Sequence, residues 1–345
     1  MPMLDQITVW CSNLMQNAPV LAVAGLVALG VLAFLIIWQT VCLILASLRK
    51  ISHLVQRRKH SRFNGVSVIV ADLAGLKGKQ RSQELVLLIQ NHLCAFTFGA
   101  PYEVTSMRQL KAKGAQGLRD TAKAHRDAFS AALVVWGQSE RKSETSFQLM
   151  SRELDPETGY GRHETILLPE DLSEMTEAQE RAAAYLFALA FQPGLADAGG
   201  FRLEKIKPVA ELLETALEKP GPIPADTLEL IEDDFCTMAL HCGDHEDLEY
   251  VVQLRRTRLL SDGQLSRRTQ IKARIDLGRA LLSLSERRHN PTRIREAMDH
   301  LKQAIEILRE HPVIGLATAT SDAVRQGEKM LTVRRKFSVT GGSVL

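Results

Sequence analysis

Two short stretches of this 345-residue chain carry residue types that invite chemistry. The first is Ala71-Asp-Leu-Ala-Gly-Leu-Lys-Gly-Lys-Gln80, a lysine-bearing glycine turn directly after a β-branched run. A phosphate loop needs G-x-x-x-x-G-K-[ST], in which the hydroxyl residue holds magnesium. Here position 73 is Leu and position 80 is Gln, so the spacing fails and the magnesium ligand is missing. The expected reading is a strand-to-helix turn with a solvated basic rim. The second stretch holds Cys236, His241, Cys242 and His245, all good zinc ligands by type. On one helix, however, Cys236 and Cys242 point about 120° apart at 3.6 residues per turn. A core cysteine beside a polar helix end is therefore expected, and no metal or cofactor site is assigned. There is no GxSxG elbow, H-E-x-x-H pair or GxGxxG after a strand. Catalysis is not expected.

These stretches sit in a chain that changes character three times. No Asp, Glu, Lys, Arg or His occurs between Asp5 and Arg49, and Val20–Trp38 has no charged or amide side chain. As a helix, residues 19–48 would reach about 45 Å, against roughly 30 Å of bilayer hydrocarbon. This predicts one tilted transmembrane helix over 19–48 after a short extracytoplasmic segment, 1–18. A cleaved signal peptide would need a basic n-region and a shorter apolar core. Ala24 and Ala28 form a small-xxx-small pair of the kind that supports helix dimerisation, so a homo-oligomer is a possible outcome.

A basic juxtamembrane linker follows at 49–64. Arg49, Lys50, Arg57, Arg58, Lys59 and Arg62 precede the next acid, Asp72, and are expected to touch anionic lipid headgroups. By the positive-inside rule the N-terminus lies outside and the body in the cytosol, which predicts a single-pass membrane protein. Apart from this collar, cationic and acidic residues nearly balance, so nucleic acid is not an expected partner. Five cysteines imply no disulfide framework.

From Val66 the pattern alternates between strands and helices. Val66–Leu73, Tyr102–Met107, Leu133–Trp136, Ser143–Glu153 and His163–Leu168 read as strands, with helices over Lys79–Phe98 and Gly117–Ala132. That order predicts a small α/β sandwich with a mixed sheet over 65–170. After Leu172 the pattern is helical throughout. Thr176-x-x-Gln179 is a capping box opening a helix to Phe191, and Pro208 suits the first turn of another to Lys219. Pro220-Gly-Pro-Ile-Pro224 breaks the chain. Two helical hairpins then follow at a spacing of about 45 residues, turning at Gly243-Asp244 and at His289-Asn290-Pro291. Gly278, Ala280, Ala297 and Ala304 are small where paired helices must approach closely. A last helix at 317–335 would cap the stack before a loose tail, 336–345. The basic run Arg255, Arg256, Arg258, Arg267, Arg268, Lys272, Arg274 and Arg279 is expected to be a solvated face.

The segments VSVIVADLAG (66–75) and ALVVWGQ (132–138), each joined to a helix, resemble the N-terminal domain of TolB and the related FlgO and CsgG-type modules. The segment 276–308, with Leu-Gly…Ala-Leu in its first helix and Ala-x6-Ala in its second, resembles a tetratricopeptide repeat. Together the two resemblances imply an α+β protein with a membrane helix, an α/β module and a repeat-like helical array over 171–335. The implied function is a non-catalytic adaptor, tethered to the bacterial inner membrane, that binds a protein partner through the helices and the α/β module. The alternative from another class is a small-ligand or nucleotide sensor using the strand ends near Asp72–Gln80.

Overall fold

The computed structural model describes residues 9, 27, 30–41, 65–75, 77–97, 99–139, 144–154, 161–191, 203–261, 265–312 and 314–340. The chain divides into two compact units, Met1–Phe63 and Asn64–Leu345.

In the first unit residues 30–41 are helical, with the Thr40 hydroxyl donating to the Ile36 and Ile37 carbonyls at 2.8 and 2.9 Å. No helix among the described residues is long and apolar enough to cross a membrane. This overturns the transmembrane expectation for 19–48, and with it the single-pass inner-membrane placement. Of that stretch the described residues are 27 and 30–41, all helical. Apolar composition is necessary for a span, but a continuous helix of sufficient length is a separate condition. Residues 49–64, including the six basic collar residues, lie outside the described residues, as do Ala24, Ala28 and the glycines at 194, 199 and 200.

The second unit is mostly helical around a mixed five-stranded sheet. The strands are β1 (Val66–Ala71), β2 (Tyr102–Met107), β3 (Leu133–Ser139), β4 (Glu144–Leu154) and β5 (Gly161–Pro169). Their order across the sheet is β2-β1-β3-β4-β5. β1 runs parallel to both β2 and β3, and β4 and β5 continue as antiparallel hairpins. Two crossover helices join the parallel strands, α1 (Gly78–His92) and α2 (Gly114–Phe129). They lie on opposite faces. Leu85, Leu88 and Ile89 of α1 share a core with Val68, Val70, Leu133 and Val135. Ala122 and Leu118 of α2 pack instead on Ile69, Ala71, Val134 and Trp136. Alternate residues of one strand face opposite sides, so the apolar run in β1 feeds both cores.

Among the described residues seven helices follow: α3 (Glu177–Phe191), α4 (Leu203–Glu218), α5 (Ala225–Cys242), α6 (His245–Leu260), α7 (Arg267–Arg287), α8 (Pro291–Glu310) and α9 (Ile314–Thr340). The Thr176 backbone N–H donates to Gln179 Oε1 at 2.8 Å and the Gln179 N–H to the Thr176 hydroxyl at 3.4 Å, a reciprocal capping box. Asn290 caps α8 by accepting from the N–H groups of Thr292 and Arg293, with Pro291 in the first turn. Pro208 lies inside α4 rather than near its start, because the helix begins at Leu203. α9 is longer than expected at both ends.

α7 is the hub of the helical part and packs against α5, α6, α8 and α9. A Cβ at Gly278 would meet Leu301 Cγ of α8 at 2.7 Å, so the α7–α8 approach requires glycine there. The sheet and the helices share one hydrophobic core that runs from Val68 to Ala323. α3 forms the join. Gln179 and every residue from Ala182 to Ala190 are buried, with Tyr185 edge-on to Phe96 at 5.6 Å and Phe187 edge-on to Phe147 at 6.1 Å.

α5 also seals one edge of the sheet. The buried Thr227 hydroxyl accepts from the Leu167 N–H at 3.1 Å and donates to the Leu167 carbonyl at 2.6 Å, in the place of a neighbouring strand. Thr227→Val keeps the shape but leaves both backbone groups unpaired. It should cost about 2 kcal/mol in urea unfolding, whereas Thr227→Ser should cost much less.

Candidate functional site

Strand order 2-1-3 places a topological switch point between β1 and β3, where successive connections leave for opposite faces. In open α/β sheets such points, at the carboxyl ends of the strands, are where ligands bind. The turn at this point is the glycine–lysine segment singled out in the sequence. Gly75 (φ 106°) and Lys77 (φ 62°) both take left-handed conformations, and Ala74 makes an isolated parallel bridge with Gln138.

Four N–H groups of this turn are already engaged. Asp72 N–H donates to Met107 O at 2.8 Å, Leu73 N–H to the Ser82 hydroxyl at 2.8 Å, Ala74 N–H to Gly137 O at 3.0 Å and Gly78 N–H to Gly75 O at 3.3 Å. Gly78 is small for a packing reason: a Cβ there would collide with the Leu73 carbonyl. The turn is a structural lock.

A cavity flanks the turn on each face of the sheet. The one on the α1 side, about 450 Å³, sets Lys77 and Arg81 against Glu84, Glu144, Glu170, Asp171 and Glu174. Arg81 is buried, donates to the Thr145 hydroxyl at 2.9 Å and pairs with Glu170. Asp171 is held below the usual carboxylate range by hydrogen bonds from the Ser173 hydroxyl and N–H. The excess of carboxylates disfavours a phosphate here as well. The cavity on the α2 side, about 310 Å³, is lined by Asp72, Gln109, Trp136, Gln138, Ser146 and Gln148, with Leu110 and Leu118 as apolar wall. It contains no cationic side chain. Asp72 and the β3 end belong to segments already marked in the sequence. Ser146 and Gln148 were missed, although their alternation with Phe147 and Leu149 signals a second, polar face of β4.

Among the described residues no group of three or more His, Cys, Asp or Glu side chains is placed to hold a metal. Cys236 is buried on α5, where burial pushes its thiol far up and keeps it neutral. Cys242 is half-buried, and His241 and His245 are exposed.

The basic run behaves differently from a solvated face. Arg255 is only 1% exposed, and its guanidinium pairs with Glu232 at 2.7 Å, Asp233 at 2.6 Å and Asp276 at 2.9 Å. Lys272 joins the same group through Asp233 and Asp276 at 3.3 and 3.5 Å. Arg256 pairs with Glu296, Arg258 with Glu229, and Arg267 with Glu310. The expected solvated face is thus in large part a network linking α5, α6, α7 and α8. Acids from neighbouring helices reach these arginines at close range, and a single-residue reading of charge does not register them.

The opposite imbalance occurs on α4 and α6. Burial raises the carboxyls of Glu214 and Asp247. Glu214 is raised further by Asp247, Glu218, Glu211 and Glu246, and Asp247 by Asp244, Glu211 and Glu246. A carboxyl whose pKa is raised on folding opposes the fold once pH exceeds its unfolded value near 4, and the penalty is complete above its folded pKa. Glu214→Gln with Asp247→Asn should therefore raise the denaturation midpoint at pH 7. The gain should vanish as pH falls below about 4. An equal gain at both pH values would refute the electrostatic origin.

No protein-family model, curated protein or solved structure matches this chain.

Proposed function

We propose that the chain is a non-catalytic adaptor that binds a protein partner through the helices α4–α9. The observation that carries this reading is the repeating layered packing of that part. α5, α7 and α9 pack side by side, with α6 and α8 against α7. Such arrays present extended surfaces on which a helix or an extended peptide docks. The charge inventory indicates the partner's sign. Arginines of the basic run are paired internally, while α4 and α6 carry crowded carboxylates whose ionisation a cationic partner would relieve. The expected partner segment is basic, and its binding should weaken with added salt.

The test is crosslinking and affinity purification of the full-length chain. A specific partner whose crosslinks map to 203–340, weakened by Glu214→Lys with Asp247→Lys, supports the adaptor reading. Crosslinks confined to 65–170, or self-crosslinks alone, would defeat it.

A further inference from the structure

We infer that the cavity on the α2 side of the β1/β3 switch point binds a small neutral polyhydroxylated ligand of monosaccharide size. This inference is independent of the adaptor reading.

Three observations carry it. The first is the site's construction from five separate chain segments: the end of β1, the β2–α2 connection, α2, β3 and β4. The register aligns Trp136 with Gln148 and Gln138 with Ser146, so one face of the sheet changes from apolar beneath α2 to amide and hydroxyl at the cavity. The second is Asp72. It is half-buried at the cavity, and its carboxylate has no hydrogen-bond or ion-pair partner among the described residues. A partly desolvated carboxylate gains most from donors that reach it directly. The third is pre-organisation. Gln148 Nε2 donates to the Thr165 hydroxyl at 2.9 Å and to the Ser146 hydroxyl at 3.5 Å, which fixes the side chain and leaves its carbonyl oxygen as acceptor.

The lining also selects the ligand class. Phosphates and carboxylates are disfavoured, because no Lys or Arg lines the cavity and Asp72 and Ala74, the turn residues that line it, have engaged their N–H groups. An ammonium would satisfy Asp72 but offers no acceptor to amide N–H groups such as those of Gln109. Each hydroxyl of a sugar both donates and accepts, which matches a lining of three primary amides, one hydroxyl and one carboxylate. Trp136 and Leu118 provide an apolar wall for the C–H face of a ring. The volume lies at the small end of ligand sites, which suits a single ring.

The experiment is saturation-transfer NMR on the full chain with monosaccharides and alditols at millimolar concentration. Their phosphorylated counterparts and a polyamine serve as the other arms. At least one neutral sugar should bind, and its phosphate ester should bind more weakly. Asp72→Ala and Gln148→Met, which change different chain segments, should each weaken binding about tenfold, as expected for loss of a hydrogen bond to a buried polar group. A fold check on both variants ensures that at least one of them decides the question. Saturation transfer from no neutral sugar, binding indifferent to both substitutions, or binding of the polyamine in place of sugars would overturn the inference.

Discussion

Replacing Arg255 with leucine should lower the free energy of unfolding by about 3–5 kcal/mol, the range for removing one partner of a buried ion pair. The loss has a specific source. Burial works against the guanidinium's charge, and Asp276, Asp233 and Glu232 favour it from close range. Without the cation, three carboxylates face one another with only Lys272 and Arg258 nearby. Burial already pushes Glu232 upward against the pull of Arg255 and Arg258, so it would protonate first. Burial also works against the Asp233 carboxylate, but Lys272 and Arg255 hold it down. In the leucine variant much of that hold is lost. Urea unfolding is the measurement. Adding Asp276→Asn to Arg255→Leu should recover part of the loss, because the second change removes a stranded charge. If the double variant were as unstable as the sum of the two single ones, the charges would not be coupled.

Phe187→Ala should cost a similar amount, about 3–5 kcal/mol, the range for truncating a buried phenylalanine. Its ring stands between Phe147 of the sheet and the helices packed behind α3. The form of the transition is the more informative readout. One core joins the sheet to the helical stack, so hydrogen exchange in β4 and in α7 should accelerate together, and unfolding should remain a single transition. Loss of protection in β4 alone, with α7 unchanged, would show that the sheet and the stack fold independently.

Much of this architecture was legible in the residues, because local rules and tertiary packing agree there. β1 is a β-branched run that reads as a buried strand. Thr176 with Gln179 and Asn290 with Pro291 mark helix starts that form with the expected hydrogen bonds. Gly278 is small where Leu301 needs the room. Three features were not legible, each for a physical reason. The apolar run at 19–48 was read as a span from hydropathy, which does not specify the length of continuous helix. Arg255 was grouped with its basic neighbours, although the acids that bury it lie on two other helices. An available hint was Asp276 itself, an acid flanked in sequence by Ile275 and Leu277 and set one turn after Lys272. The cavity beside Asp72 depends on the register of β3 against β4, which residue types alone do not set. The division at about residue 170 marks a change of secondary structure, while the core runs across it.

The buried stretch Ala182–Ala190 of α3 also bears on how such a chain can evolve. A segment exposed on one side can be cut from one gene and joined to another, because its partners need not travel with it. Over Ala182–Ala190 α3 has no such side: the sheet packs on part of its surface and α4 on another. Recombination breakpoints placed on either flank would leave a strongly apolar surface uncovered in at least one product. The α/β part and the first helices of the stack are therefore expected to be inherited as one cassette, with variation by shuffling confined to the far end, beyond α7.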